Sequence, residues 1–572
     1  MRTSTAFGVL VLVLGAACAP ATPAGSGPGQ PGQSNVAAPK AITIAITEDP
    51  GNIWDGLTGG GGSGSRELGQ MVNQFLTTST SDGVTIPRLL SELPSIERGT
   101  WRALPDSSMQ TTFKLRGDVT WHDGQKLTAD DVVFSWRVNR DPDVPNSNSE
   151  VIRLISAMDV HDPATIVATW SQPYPFADRI GQRELLTVPE HLLKGSYTDA
   201  KDGFLSQAYF SDQYVGLGPY RLTRWERGSA IDMQAFDQYF LGRPKIDSVR
   251  VLFIQDPGTL TANLKAHTLT SYLPPGTLSF DSIAQVGQEW EASGYGQGLV
   301  EIVRWKSMQA QTLRNPQPAD LADARARQAL LSAINRPELA HALYGEYGTP
   351  ADSWIHPSFR QYAQVQDAIM TYPYDTRRTL ALLGDLGWQR GADGSRQKTG
   401  QRFALTLRDS EDERGALIIA DNWKGVGISG TFEQQTPQEL RDRQKRAEYT
   451  GVNIERGSLP TLTIIRRLNS DAIPTPENKF AGSNRGGYSS SEWDELGRRF
   501  LSALEEPQRA EVERDLLRRF TTDLPQMPLA YDPDVILIGG GLTGLAVATT
   551  SGYNGQLMHT WNINEWDVAP AR

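Results

Sequence analysis

The chain has 572 residues, of which 39% are hydrophobic and 21% charged, with a formal net charge of −11. A single hydrophobic core rarely serves so long a chain, so we expect two or three packed units. Acidic and basic residues are interspersed, and the sequence has no basic run that could follow a phosphate backbone, which argues against nucleic-acid binding.

The N-terminus predicts an export signal, residues 1–18. Arg2 precedes an apolar run at 6–17, which is too short to span a bilayer but suits a signal-peptide core. Cys18, the only cysteine, follows that run directly. It is either incidental at a cleavage site or, as we favour, a lipidated residue that anchors the chain to a membrane surface; Gly15 stands where lipoprotein signals usually have leucine. Residues 19–39 are rich in Pro, Gly and Ala and predict a flexible linker.

Further along the chain, strands and helices alternate, which predicts an α/β or α+β protein. Period-two alternation indicates strands, and apolar positions three and four apart indicate helices. The predicted strands lie at 41–50, 111–116, 165–170, 220–225 and 248–254. The predicted helices lie at 67–76, 322–334, 375–388 and 491–504.

The stretch VTWHDGQKLTADDVVFSW, residues 119–136, is rich in polar residues that could belong to an active site or a metal site. A structural interpretation explains them better. Asp123–Gly124 is a strong turn signal, while Thr128 and Asp131 have the spacing of an acidic capping box at a helix start. His122 and Asp123 are adjacent and would point to opposite faces of a strand, so they do not converge on a metal.

Two further patterns are weak signals for enzymes. Gly539, Gly541 and Gly544 form the dinucleotide-binding pattern, but too little chain follows for the rest of a βαβ unit. The seven histidines are scattered singly, without metal-ligand spacing. We therefore expect no cofactor, no metal and no catalytic residues; a secreted hydrolase is a remote alternative.

Several segments, in order, resemble one family. They are FKLRGDVTWHDGQKLTADDVVFSW (113–136), GLGPYRLTRWERGSAI (216–231), LADARARQALLSAINRPELA (321–340), GYSSSEWDELGRRFLSALEEPQR (487–509) and TTDLPQMPLAY (521–531). This ordered set resembles the extracytoplasmic solute-binding proteins, family 5, of ABC importers, the oligopeptide-, dipeptide- and nickel-binding type. The resemblance covers nearly the whole chain after the linker.

The resemblance implies an α/β, periplasmic-binding-protein-like two-lobe fold (type II, cluster C-like) with an extra inserted domain and a ligand cleft between the lobes. The implied parts are lobe I (40–75, 215–300 and 525–572), the inserted domain II (76–214) and lobe III (301–524).

The implied function is capture of a peptide or peptide-like, possibly acidic, solute outside the cytoplasm by a monomer that delivers it to an ABC permease with its ATPase. Alternatives are a non-peptide ligand (an opine, a sugar or a metal chelate) or a role as a ligand sensor.

In peptide-binding members of the family, an aspartate in a Trp–x–x–Asp–x–x–x–Pro segment pairs with the ligand's amino terminus. With Pro460 placed on the family proline, Arg456 falls on that aspartate and Asn453 on the tryptophan. A buried arginine favours a carboxylate or phosphate, which predicts an acidic ligand group, with Glu455 as a partner or cation-binding group. The alternative is that Arg456 pairs within the protein.

Three further residues are predicted ligand contacts. Asn484 and Tyr488 resemble the family's Asn-rich approach to a tyrosine near the cleft, and Trp54 follows the first strand. For Tyr488 and Trp54 the alternative is packing within the protein.

Overall fold

The structure, a computed structural model, describes residues 39–54, 64–144, 150–273, 278–410, 413–547 and 558–568. The predicted export signal with Cys18, and the linker up to residue 38, lie outside these ranges and stay predictions. Within them, none of the helices combines the length and apolarity needed to cross a bilayer.

The strands are spread along the whole described chain. In chain order they are β1 (Ala41–Ile46), β2 (Thr77–Ser79), β3 (Thr85–Pro87), β4 (Trp101–Ala103), β5 (Met109–Lys114), β6 (Ile155–Asp162), β7 (Thr165–Trp170), β8 (Tyr220–Glu226), β9 (Ala230–Ala235), β10 (Ser248–Phe253), β11 (Ser271–Tyr272), β12 (Gly296–Ala310), β13 (Thr349–Pro350), β14 (Gln389–Arg390), β15 (Arg396–Lys398), β16 (Gln401–Arg402), β17 (Ala404–Asp409), β18 (Ser429–Gln434), β19 (Val452–Ser458), β20 (Met527–Gly539), β21 (Leu542–Thr543) and β22 (Asp567–Val568).

The helices lie between these strands. They are α1 (Glu67–Val72), α2 (Ala129–Arg140), α3 (Glu150–Leu154), α4 (Glu190–Asp199), α5 (Pro257–Lys265), α6 (Phe280–Ser293), α7 (Ala324–Ser332), α8 (Arg336–Tyr344), α9 (Tyr362–Val365), α10 (Thr376–Asp385), α11 (Glu413–Gly425), α12 (Pro437–Arg441), α13 (Arg443–Ala447), α14 (Thr461–Leu468), α15 (Ser491–Ser502) and α16 (Glu506–Asp523). Short 3-10 helices are Lys201–Ser206, Ala208–Phe210, Ala319–Ala322, Gly345–Tyr347, Gln366–Ala368, Ser470–Ala472 and His559–Glu565.

A mixed sheet of eleven strands organises the fold. Its order is β18-β17-β19-β12-β20-β11-β1-β10-β9-β8, and β13 adds to β20. A second sheet has the order β4-β5-β7-β6, and its strands lie between β1 and β8 in the chain. The predicted strand positions are confirmed by β1, β5, β7, β8 and β10.

The antiparallel pair β12 and β20, here called the connecting strands, runs through both halves of the large sheet. The C-terminal half of β12 pairs with β19, and the C-terminal half of β20 pairs with β11. Their middles meet where Glu301 lies opposite Asp534 and Arg304 opposite Asp532. The register shifts between Ile302 and Arg304, so β12 contains one extra residue there, a bulge that turns its side chains locally.

Four hydrophobic clusters support these sheets. One packs the four-stranded sheet against α14, α15 and α16, and its large members include Trp170, Trp305, Trp354 and Phe520. Two others lie around β1 and β10, and the fourth lies around β17 and β19. The predicted boundaries of lobe I, domain II and lobe III stay predictions.

Tertiary hydrogen bonds explain one departure from the predicted helices. The helix predicted for 67–76 ends at Val72, and Asn73 is extended with φ −136° and ψ 172°. The Asn73 amide bonds across the fold, donating to the Thr187 carbonyl at 2.9 Å and accepting from the Leu217 N–H at 3.2 Å. These tertiary bonds replace the next helical turn.

The turn and the capping box predicted within residues 119–136 are confirmed. Gly124 has φ +90°, as the predicted turn requires. At the start of α2, the Thr128 N–H donates to Asp131 Oδ2 at 2.9 Å in a capping box. The other Asp131 oxygen accepts from the Glu190 N–H at 2.9 Å, which ties α2 to α4.

The glycine pattern at 539–544 ends a strand and forms a turn. β20 is antiparallel to both β11 and β12, whereas a dinucleotide fold needs a parallel βαβ unit. A Cβ at Gly539 would lie 2.3 Å from the Tyr295 ring, so close packing accounts for this glycine. Gly540 and Gly541 both have positive φ.

Candidate functional site

Charged side chains meet at the middle of the connecting strands. Arg304 leaves β12 at the bulge, and its Nε lies 3.2 Å from Asp532 Oδ2 on β20. Its Nη2 lies 3.0 Å from Asp534 Oδ2, two residues further along the same strand. The bulge therefore places one guanidinium across two carboxylates.

Arg456 joins this cluster from β19. Its register partner on β12 is Lys306, and its Nε lies 2.5 Å from Asp532 Oδ2. Asp532 on β20 thus receives two guanidiniums, one from the adjacent strand β12 and one from β19 on the far side of β12. The alternative that Arg456 pairs within the protein holds in this structure.

Exposure differs sharply between the two signs of charge. The side chains of Arg456 and Arg304 are 32% and 27% exposed, whereas those of Asp532 and Asp534 are 1% and 11% exposed. The guanidinium side chains are therefore the partly exposed members of the cluster, and the carboxylates lie behind them.

The electrostatics follow from burial and these contacts. Burial alone would raise the pKa of Asp532, but the hydrogen bond and charge of Arg456, together with Arg304, hold that pKa below its usual value. Burial raises the pKa of Asp534, and Arg304 only partly opposes this. Of the two carboxylates, Asp532 is therefore the one whose ionised form the cluster stabilises.

Glu455 neighbours Arg456 on β19 but points to the opposite face of the sheet. Its Oε1 accepts from Gln526 Nε2 at 2.9 Å and from Arg467 Nη1 at 3.1 Å. Arg485 Nη1 lies 3.6 Å from its other oxygen. Asn453, two positions earlier, is buried on that same side. The structure therefore does not bring Glu455 to Arg456.

The remaining predicted contacts lie in the interior, and their ligand roles stay predictions. Tyr488 donates its hydroxyl to Asp523 Oδ2 at 2.7 Å. The Asn484 amide bonds to the backbone, including the Tyr488 N–H at 3.1 Å. Trp54 is buried and packs edge-to-face on Phe210, with ring centroids 5.8 Å apart.

Sequence reasoning missed Arg304, Asp532 and Asp534. A signal was present, because the segment MPLAYDPDVILIG places two aspartates in an otherwise apolar run, and a buried aspartate is nearly always paired. Arg304 carried no comparable signal, since its position depends on the bulge. Among the described residues, no group of three or more His, Cys, Asp or Glu is arranged to hold a metal ion.

The site thus consists of partly exposed guanidiniums and buried carboxylates at the middle of the connecting strands. The family model for bacterial extracellular solute-binding proteins, family 5 Middle, matches residues 102–458. The chain belongs to this family.

Known relatives agree with this assignment. The chain is 25% identical over 421 residues to Protein XP55 of Streptomyces lividans, covering 71% of this chain and 69% of XP55. It is 23% identical over 372 residues to the oligopeptide-binding protein AppA of Bacillus subtilis; the match spans 64% of each chain, less than two thirds of AppA.

The fold is also that of solved structures. NikZ from Campylobacter jejuni in complex with Ni(L-His) superposes with a TM-score of 0.70 at 20% identity, covering 92% of this chain and 100% of NikZ. The chain therefore has the family's two-lobe α/β fold and is an extracytoplasmic protein of the solute-binding class; proteins of this family bind small solutes and work with ABC permeases.

Proposed function

We propose that this protein is the solute-binding component of an ABC importer and captures a peptide or peptide-like solute that carries an acidic group. The two lobes close over the solute, and the closed form delivers it to a membrane permease. A non-peptide solute, such as an opine, a sugar or a metal chelate, and a sensing role are the alternatives.

The observation that carries the proposal is the arrangement of Arg456 and Arg304. Both guanidiniums are partly exposed, and the carboxylates that neutralise them are buried behind. Guanidinium binds carboxylate or phosphate through paired N–H donors, so two partly exposed guanidiniums side by side suit an anionic group. The family's aspartate at the position of Arg456 would instead favour a ligand amine.

The names of related structures support an acidic group in the solute. AppA has been crystallised with a nonapeptide and NikZ with Ni(L-His). A peptide and L-histidine both carry a carboxylate. We expect the solute of this protein to direct such a group at Arg456.

The connecting strands suit a closing motion. They run through both halves of the large sheet, and the bulge together with Pro533 interrupts the regular ladder at their middle. A few residues in extended segments can absorb the dihedral changes of domain closure. We propose lobe I as 40–75, 215–300 and 525–572, lobe III as 301–524, and residues 76–214 as the inserted domain.

We further propose that the chain is exported, acts as a monomer, and is anchored through a lipid on Cys18. The position of this single cysteine at the end of the apolar run supports the anchor. Mass spectrometry of the N-terminus of membrane-fraction protein tests it: an acylated Cys18 is expected, and an unmodified N-terminus downstream of Cys18 would refute it.

The first test is to identify the solute. Native mass spectrometry of freshly purified protein should show a co-purified small molecule, and a panel of peptides, opines, sugars and metal chelates should include one that raises the melting temperature. If acidic peptides and other acids have no effect while neutral sugars stabilise the protein, the acidic-solute proposal fails.

The second test is Arg456→Ala, with the identified solute as ligand. Losing a charge-assisted contact should weaken affinity about 10- to 100-fold by calorimetry. Arg456→Lys should recover only part of this loss, because an ammonium lacks the planar pair of donors.

Arg514→Ala is a matched control, since Arg514 is 33% exposed and also pairs with an aspartate, Asp367. It should leave affinity unchanged. Equal losses in the Arg456 and Arg514 variants would indicate a general effect on folding.

A further inference from the structure

A second charged cluster lies beside the connecting strands, centred on His559. Its Nδ1 lies 3.0 Å from Glu67 Oε1 and its Nε2 lies 2.9 Å from Glu301 Oε1. The Glu67 and Glu301 side chains are buried, and that of His559 is 11% exposed. They come from α1, from β12 and from the 3-10 helix His559–Glu565.

Glu67 and Glu301 differ in the hydrogen bonds that they accept besides those from His559. Glu67 Oε2 accepts from the Thr560 N–H at 3.1 Å and from the Thr560 hydroxyl at 2.9 Å. The second oxygen of Glu301 is buried and has no hydrogen-bond partner among the described residues. The hydrogen bond from His559 therefore compensates the buried charge of Glu301.

The two distances bear on the protonation state of the ring. A neutral imidazole donates from only one nitrogen, and its other nitrogen would face a carboxylate oxygen lone pair to lone pair. Both nitrogens lie within hydrogen-bond distance of carboxylates, so the group holds one proton more than a neutral ring and two ionised carboxylates. The geometry points to the ring as its place, because Glu67 already accepts two hydrogen bonds from Thr560. Burial would lower the pKa of His559, but Glu301 and Glu67 raise it well above its usual value.

The cluster adjoins the candidate site directly. Glu301 pairs in register with Asp534 and immediately precedes Ile302, where the bulge begins. Arg304 leaves the other side of the bulge and reaches Asp532 and Asp534. Glu301 and Arg304 therefore lie on either side of the same bulge.

We propose that protonated His559 is a positioning residue for solute binding: it holds Glu301, and through it the bulge that presents Arg304. The binding part of this proposal rests on the proposed function, whereas its positional part concerns the protein alone. The expected consequence is that the connecting strands loosen at their middle when His559 loses its proton.

The charged groups around His559 determine the sign of that effect. Glu67 faces it from α1 and Glu301 from β12. Arg304 and Asp534 lie beyond Glu301, with which Asp534 pairs in register. Arg88 and Glu565 lie on the far side, where Arg88 donates to the Trp561 carbonyl. Deprotonation leaves two buried carboxylates facing a neutral ring, so order at the bulge should be lost as pH rises.

The ionisation is tested by NMR of the full chain with 15N-labelled histidine rings. We expect one ring to remain imidazolium at pH 7.5 and to vanish in His559→Gln. Glu301→Gln should lower the titration midpoint of that ring. A His559 ring that is neutral at pH 7 would overturn the proposal.

Positioning is tested by hydrogen exchange of the backbone at residues 299–306 across pH, corrected for intrinsic exchange rates. Wild-type protection should fall at least about 10-fold as pH rises through the His559 midpoint, since opening is set by a free-energy difference. His559→Gln should show the low protection at every pH. His356→Gln is the matched control, because burial lowers the pKa of His356 to about 4 and that ring is neutral throughout.

Hydrogen exchange in strand β7 is the internal reference that distinguishes a positioning role of His559 from a general effect on stability. Protection of Thr165–Trp170 should not change with His559, and an equal loss there would mean general destabilisation and would refute the proposal. If His559→Gln does not fold, Glu301→Gln gives the same readout at lower amplitude, and an unchanged profile in it refutes the proposal. The exchange profile is measured without solute, whereas the acidic-solute proposal is tested by affinity, so failure of that proposal is distinguishable from failure here.

Discussion

His122 and His559 are both buried histidines, yet their surroundings give them opposite charge states. The two His122 ring nitrogens face only backbone groups, the Gly216 N–H at 3.2 Å and the Gly218 carbonyl at 2.9 Å. One donor and one acceptor suit a neutral ring, and burial lowers the pKa of His122 to about 4. The two His559 nitrogens face two carboxylates instead.

The comparison teaches that burial alone does not set the charge of a histidine. Desolvation opposes the charged form in both cases, and the groups opposite the ring decide the outcome. His122 belongs to a turn that holds the fold together, whereas His559 is a buried cation beside the candidate binding site.

The largest expected effect concerns His559→Gln. At pH 6 the variant leaves two buried carboxylates without a cation and should lose about 3–5 kcal/mol of unfolding free energy in urea titrations. Because the folded pKa lies above the unfolded value near 6.5, the wild-type advantage is full below that pH and declines as pH rises. A difference that stays constant from pH 6 to 9 would contradict the comparison.

The unfolding free energy at acidic pH should depend on His122. Its folded pKa is about 4 and its unfolded value about 6.5, so the wild type should lose up to roughly 3 kcal/mol through this group as pH falls between them. In that pH range, His122→Gln should reduce the slope of unfolding free energy against pH by up to the equivalent of one bound proton. Above pH 7 the slope should be unchanged. An identical acid slope in the variant would show that His122 is not held neutral.

A smaller effect is expected from Asp131→Ala, in the same region as His122. Loss of the capping box should cost about 1 kcal/mol, seen as a lower midpoint in denaturant with an unchanged slope. Solute affinity should be unchanged, because the Asp131 carboxylate accepts from Thr128 and from the Glu190 N–H, which joins two helices away from Arg456. A marked loss of affinity with normal stability would move this stretch into the binding site.

Short sequence patterns predicted those features that depend on neighbouring residues. The capping box of Thr128 and Asp131, the turn at Gly124 and strand β7 each depend on residues within a few positions. Contacts between distant segments were not predictable in this way: Asn73 ends α1 through bonds to residues more than a hundred positions away. Arg456 was found by its place in a family motif, but its partner Asp532 was not.

The sequence by itself determined the family, the two-lobe α/β class and the structural role of residues 119–136, because ordered motifs and turn and cap chemistry are written in short segments. Only the tertiary structure decided which charges meet. Arg304, Asp532 and Arg456 converge because a bulge and the pairing of three strands bring them together. His559, one of seven scattered histidines, becomes a buried cation because folding places carboxylates from two distant segments on either side of its ring.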